Sequence, residues 1–249
     1  MGRLSFLVCL ANAFSMVLAV AVAAGEDALY VCGAKGVSVR LPPDLEGYAS
    51  DQQSRAWQPP PRGFYFKPWN MIYATHAANL ALRNFQYDPS LVDDSQPNGD
   101  INDLSSFQIP GNDTVFTTYG VDTRLTLSAD RLKFSGTGII TGAYSTYNLL
   151  AWGCDENRLP YYANYATATE LTGTPAGIDI MSIEDTGMDD KTFAAIRDAL
   201  VKLGNAEITE MARNLTKTNQ DGARRNLDRI TTCDDYCKTN QNMREIIGA

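Results

Sequence analysis

The sequence predicts an all-β domain with a C-terminal helix: a mainly antiparallel sheet, closed as a barrel or doubled as a sandwich, with an amphipathic helix against its outside. Three observations carry this. From Gly63 to about Ile183 the chain is a string of short aromatic and β-branched runs separated by clusters of Gly, Pro, Asn and Asp. The gaps between runs are too short for the crossovers of a dozen or more residues that parallel strands need. After the last run the hydrophobic period changes from two to nearly four, the period of a helix.

The elements follow in chain order. Residues Met1 to Ala24 read as a signal peptide: one early charge, Arg3, apolar runs from Leu4 to Leu10 and from Phe14 to Ala24, and the small-residue close Val22-Ala23-Ala24. Cleavage before Gly25 takes 24 of the 249 residues, leaves 225, and predicts a protein that is secreted or held in the lumen of the secretory pathway. Residues 25–62 lack periodicity and end in Pro59-Pro60-Pro61, an irregular arm tied down by Cys32. Candidate strands are Trp69 to His76, Leu80 to Tyr87, Leu104 to Ile109, Thr114 to Tyr119, Arg124 to Leu127, Leu132 to Ile140, Tyr144 to Trp152, Tyr161 to Thr169 and Gly177 to Ile183. Asp88 to Asp103 reads as a long insertion. Asp189 caps a helix from Asp190 to Leu203, with Phe193, Ile196, Leu200 and Leu203 on one stripe and Gly204 past its end. A weaker helix spans Ala206 to Lys217. The barrel unit therefore covers residues 63–218, and a polar tail, 219–249, is pinned by Cys233 and Cys237.

Composition narrows the partners. Arg3 leaves with the leader, so 20 Lys and Arg face 29 Asp and Glu, a net charge of −9. Nucleic acid and anionic membrane surfaces both require clustered cations, so neither is an expected partner. Cys9 also leaves, and Cys32, Cys154, Cys233 and Cys237 form two disulfides in an oxidising compartment. A bridge between Cys233 and Cys237 closes only a tight local loop, so each is expected to reach a distant cysteine. The sequons at Asn112 and Asn214 are candidate glycosylation sites. His76 is the sole histidine, and no metal is expected.

Alternation within the strands says what the sheet encloses. Tyr144, Thr146, Asn148, Leu150 and Trp152 form one face of their run, and Ser145, Tyr147, Leu149 and Ala151 the other. Tyr161, Ala163, Tyr165 and Thr167 likewise alternate with Tyr162, Asn164, Ala166 and Ala168. Tyrosine, threonine and amide groups scattered among apolar ones describe the wall of a ligand cavity.

An early strand carrying Trp69, the run Tyr147 to Gly153, a tyrosine-rich strand, Ile178 to Ser182 and then an amphipathic helix together resemble a lipocalin, a member of the calycin superfamily. Tyr73 to His76, Gly120 to Thr123, Ala151 to Gly153 and Thr174 to Ile180 look like pieces of lipocalin-like secreted fungal proteins. The resemblance implies an eight-stranded up-and-down barrel with one closed end, plugged by Trp69. In that family an Arg just after the last strand packs over the plug. Here Ser182 is followed by Ile183, so the cationic partner of Trp69 is unassigned.

Function follows from the cavity. The first reading is a secreted barrel binding a small hydrophobic molecule, with Trp69, Met71, Tyr73, Thr75, Phe134, Asn148, Trp152 and Tyr165 as the expected lining. The second is a cofactor-free isomerase or cyclase, for which His76 and Asp122 are the candidate acid–base groups. The third is an extracellular interaction scaffold using loops such as Asp88 to Asp103. No nucleophile elbow, phosphate loop or His-Glu-x-x-His motif is present, and no cofactor is expected. A cavity of about 300 Å³ or more favours carrier or enzyme, and a barrel filled by its own side chains favours the scaffold.

Overall fold

Turn residues between short β-branched and aromatic runs yield ten strands among the described residues of the computed structural model, which are Cys32 and residues 36–48 and 57–247. The expected signal peptide lies outside them. The strands are β1 (Trp69–Ala74), β2 (Arg83–Tyr87), β3 (Ser90–Leu91), β4 (Ile101–Ile109), β5 (Asn112–Arg124), β6 (Arg131–Gly136), β7 (Tyr144–Cys154), β8 (Pro160–Ala166), β9 (Gly177–Ser182) and β10 (Thr216–Lys217). Eight of them pair antiparallel in the order β1-β2-β4-β5-β6-β7-β8-β9, and β9 returns to β1 through Asn70↔Ser182, Met71↔Met181, Tyr73↔Ile180 and Ala74↔Asp179. This is a closed up-and-down barrel, the lipocalin-like architecture, with β3 and β10 added at its margins.

Several boundaries move for identifiable reasons. Gly120 does not end a strand as expected; β5 runs straight through it, because a Cβ there would sit 2.2 Å from Cε2 of Phe134, whose ring packs on the bare backbone. Arg124 to Leu127 is therefore the end of β5 and the turn into β6. The run from Leu80 splits, since His76 caps a short helix α1 (Ala77–Leu80) through Nδ1 accepting from Ala78 N at 3.1 Å, and β2 starts only at Arg83. The two ends of the expected Asp88 to Asp103 insertion are strand: β3 pairs with the start of β4 through Ser90↔Asn102 and Leu91↔Ile101.

Helix α2 (Asp190–Lys202) follows the barrel as read, with Asp189 accepting from Thr192 N at 2.8 Å. Its stripe of Phe193, Ile196, Leu200 and Leu203 packs on the outer wall with Ile72, Tyr73, Leu150, Ile178 and Ile180. Helix α3 (Ala206–Asn214), capped by Asn205, joins the same layer through Ile208 and Ala212. It stops short of Lys217 because Leu215 turns extended and Thr216 and Lys217 become β10. β10 takes the edge of β1 that β2 leaves free: β2 pairs with Trp69 and Asn70, and β10 with Tyr73 and Ala74.

The tail does similar work. The hairpin β5–β6 pairs only from Gly120↔Gly136 onward. Beyond it Asn240, fully buried, accepts from Tyr119 N and donates to Tyr119 O, both at 2.8 Å, so a side chain replaces the missing strand partner. Helix α4 (Asp235–Lys238) and Met243, against Phe107 and Phe116, complete that part of the wall. Residues 36–48 add a patch to β7, where Arg40 N donates to Leu150 O at 2.9 Å.

The disulfides correct the expected pairing. Cys32 joins Cys154 across 122 residues, and Cys233 joins Cys237, four residues on. Capping by Asp234, which accepts from Cys237 N at 2.8 Å, turns the chain so that the two Cα atoms of the short pair lie 5.3 Å apart. Of the sequons, Asn214 is exposed at the end of α3, and Asn112 is half-buried with its side-chain oxygen accepting from Thr114 N.

Candidate functional site

Two bulges decide which side chains look inward. Register slips between Met71 and Tyr73 in β1, so Met71 and Ala74 face the interior while Ile72 and Tyr73 both face out. A second slip between Leu149 and Ala151 in β7 puts Leu149 and Trp152 inside and Leu150 and Ala151 outside. One extra residue reverses the parity of everything after it.

Of the eight expected lining residues, Met71 lines the interior cavity, Phe134 sits on the inner face edge-on to the lining residue Tyr147 at 6.3 Å, and Trp69 and Trp152 pack at the closed end. The other four are corrected. Tyr73 stacks on Phe193 outside the barrel. Thr75 accepts from Ile178 N at 2.9 Å at the barrel's far rim. Asn148 bonds Arg131 on the outer face, and Tyr165, opposite it, donates to Glu207 of α3 at 2.8 Å.

The closed end is built as the plug requires. Trp69 is fully buried, its ring edge-on to Tyr162 at 4.6 Å, and its indole N–H donates to Tyr65 O at 2.7 Å. The missing cation comes from the tail: Arg229 Nη2 donates to Trp69 O at 2.6 Å and Nε to Asp88 Oδ1 at 2.7 Å. No arginine near the last strand signalled it. At the opposite end α1 lies across the barrel, with Leu80 against the interior cluster and Asn79 Nδ2 donating to Asp179 Oδ1 at 3.0 Å.

Between these ends lies a cavity of about 70 Å³, lined by apolar Met71, Phe85 and Met181, by the phenols of Tyr65, Tyr87, Tyr147 and Tyr162, and by Asp103, Ser105, Asn164 and Asp179. It is well below the about 300 Å³ that favours a carrier or an enzyme, because the aromatic side chains fill most of the barrel, so size alone favours the scaffold and only the polarity of the lining favours a ligand. Its polarity is the unexpected part. Asp103 on β4 and Asp122 on β5 share the inner face on a diagonal, with Asp103 opposite Gly120 and Asp122 opposite Ile101. Asp122, fully buried, lies behind Asp103 and accepts from Tyr87 Oη at 3.3 Å, and Tyr87 Oη is 2.9 Å from Tyr65 Oη.

Burial pushes the Asp103 carboxyl up to about 7, against a hydrogen bond from Asp122 that lowers it. Burial, then the charge and hydrogen bond of Asp103, hold Asp122 well above the carboxylate range. Burial raises Asp179 to about 6, with Asn79 opposing. The four phenols are raised well above 10, first by burial, and stay neutral. Asp122 Oδ1 meets no N–H or O–H of another residue type, as expected where one carboxylic acid donates to the next. His76, the other candidate, sits at the rim; burial lowers its pKa, and Nδ1 is engaged as the cap of α1.

Sequence reasoning named Asp122 but missed Asp103, Asp179 and the four tyrosines. Asp179 lies between Ile178 and Ile180, and Asp103 between Asn102 and Leu104, and in both strands an inward carboxylate reads from sequence like an outward one.

No family model matches the chain. Among curated proteins it is 29% identical over 189 residues to botcinic acid biosynthesis cluster B protein 12 of Botryotinia fuckeliana (strain B05.10), covering 72% of this chain and 82% of that one. Among solved structures, apocrustacyanin C1 aligns with a TM-score of 0.46 and 12% identity over 77% of this chain and 94% of its own. The siderocalin Ex-FABP aligns with a TM-score of 0.42 and 11% identity, over 63% and 95%.

Proposed function

We propose that this is a secreted protein whose barrel holds a small, largely apolar molecule carrying a hydrogen-bonding oxygen. One observation carries the reading: three carboxyl groups, Asp103, Asp122 and Asp179, are buried inside the barrel beside Met71, Phe85 and Met181, with no Lys, Arg or His among the residues lining the cavity. An interior built for stability alone leaves such groups out, since each costs several kcal/mol when unpaired, of the order of the whole margin of a domain. Buried polar groups that weaken the fold mark a site. The occupant is small, and Met71 and Met181, flexible side chains directly opposite each other, are the ones that rotate to enlarge its space. The disulfides fit an oxidising compartment.

A second reading, a cofactor-free biosynthetic enzyme acting on the molecule it holds, is favoured by the relative whose name assigns it to a biosynthetic cluster. Native mass spectrometry of protein from its own source tests the binding. One equivalent of a lipophilic compound, absent from Met181→Trp protein prepared in parallel, is expected. An empty barrel that also takes up no small apolar ketone in solution refutes the reading in favour of the scaffold.

A further inference from the structure

Resting on that binding reading, we propose that Asp103 and Asp179 act as an acid–base pair that moves a proton within an enolisable carbonyl compound held in the barrel. Both carboxyls line the one cavity, on β4 and β9, with apolar Met71, Phe85 and Met181 between the ends of the barrel. They differ in what stands behind them. Asp103 is backed by Asp122, which is fully buried and itself held by Tyr87 and, through it, Tyr65. Asp179 is backed by the neutral amide of Asn79, which donates to Oδ1 and so favours the carboxylate.

Two carboxyls whose surroundings separate their protonation states divide the roles of acid and base. Asp179, the more readily ionised, takes a proton from the carbon next to the carbonyl. The C–H electron pair becomes the C=C bond of an enol, and the carbonyl oxygen takes the proton of Asp103. Asp103 is left as a carboxylate, stabilised because Asp122 keeps its proton and donates it as a hydrogen bond. Asp179 then gives a proton, the same one or one exchanged with water, to the same carbon or to a conjugated one, as the enol O–H returns its proton to Asp103; both groups are restored and the compound is left exchanged or isomerised. No oxidant, metal or cofactor enters the balance. Asp103 and Asp179 are the catalytic residues, and Asp122 and Tyr87 position and tune them.

The activity is bell-shaped in pH, rising as Asp179 ionises near about 6 and falling as Asp103 loses its proton near about 7. The groups facing Asp103 are Asp122 on β5, Tyr65, Tyr87, Tyr147 and Tyr162, with Tyr119 of β5 also close enough to feel its charge, and those facing Asp179 are Asn79, Tyr147 and Tyr162. The four phenols stay neutral throughout this range.

The test uses the full secreted protein and cyclohexanone in heavy water, with binding read by saturation-transfer NMR and exchange of the α-hydrogens by mass. Exchange well above the buffer rate is expected, lost by about 100-fold in Asp103→Asn and in Asp179→Asn. Asp122→Leu is expected to move the alkaline limb upward, because the Asp103 carboxylate loses its donor, and Asp122→Asn, which keeps a donor, to restore it. The wild-type protein needs no substitution to show the infrared band of a protonated buried carboxyl at neutral pH. Cyclohexanone that binds but exchanges at the buffer rate, or an infrared spectrum without that band, overturns the acid–base pair and leaves the binding reading intact. Absence of saturation transfer and of exchange together removes both.

Discussion

The ring of Tyr73 lies flat against that of Phe193, centroids 3.7 Å apart and planes 5° from parallel, on the outside of the barrel. This stack fixes α2 to β1 at the bulge, and it exists because one extra residue in β1 turned Tyr73 away from the interior. Phe193→Ala is expected to lower the free energy of unfolding by about 2 kcal/mol in urea, since the half-buried ring loses both area and its stacked partner. Tyr73→Phe, which keeps the stack, is expected to stay within about 0.5 kcal/mol of wild type. A larger loss for Tyr73→Phe than for Phe193→Ala would contradict the outward assignment.

A buried ion pair joins the segment 36–48 to the barrel. Arg40 Nη2 lies 2.7 Å from Asp130 Oδ2, its Nε donates to Leu149 O at 2.8 Å, and its guanidinium rests 3.8 Å from the ring centre of Trp57. Arg40→Ala is expected to destabilise by about 3–5 kcal/mol, because it strands a buried carboxylate. Burial pushes the Asp130 carboxyl up, but the hydroxyls of Ser128 and Thr126 together with Arg40 bring it below the ordinary value. Its contribution is therefore present above the unfolded value near about 4 and lost as pH falls through the lower folded value. Acid unfolding of Asp130→Asn, followed by circular dichroism, should accordingly be shallower below about pH 4 than that of wild type.

The interior carboxyls act in the opposite sense. Asp103 and Asp179 bind their protons more tightly folded than unfolded, with values of about 7 and about 6. Above about pH 4 the unfolded chain has released these protons and the folded one has not, so stability falls as pH rises and levels off once Asp103 has ionised. Unfolding free energies from urea titrations at about pH 5 to about pH 8 are expected to decline, and Asp179→Asn to flatten the decline over that window by about 1.5 kcal/mol. Identical slopes for variant and wild type would show that Asp179 is not buried as a neutral acid.

The two disulfides are unequal. In the chain-entropy model the Cys32–Cys154 bridge, spanning 122 residues, stabilises by about 5 kcal/mol, and the four-residue Cys233–Cys237 bridge by about 2 kcal/mol. Replacing Cys32 and Cys154 together by serine should lower Tm roughly twice as far as replacing Cys233 and Cys237, as scanning calorimetry would show.

Much of the architecture was legible because it rests on period and spacing. The antiparallel sheet and the cap at Asp189 needed nothing beyond local pattern, and the plug at Trp69 came from the resemblance to a lipocalin. The lining was less legible, since alternation carries parity only until the first bulge, and neither the slip at Met71 nor that at Leu149 has a Gly or Pro to announce it. The pairing of Cys233 with Cys237 was missed for another reason: that a bridge stabilises little does not prevent it from forming. Arg229 was invisible as the partner of Trp69 because 160 residues separate them.

That separation also orders the making of the molecule. The first barrel strand takes its permanent neighbour from Ser182, 112 residues on from Asn70, fills its remaining edge from Thr216 and Lys217, and has its plug secured by Arg229. While a nascent chain is still on the ribosome, the earliest wall stands with open edges until nearly all of the rest has emerged. The ring is sealed by a meeting of residues more than 100 apart in the chain, not by the growth of any hairpin.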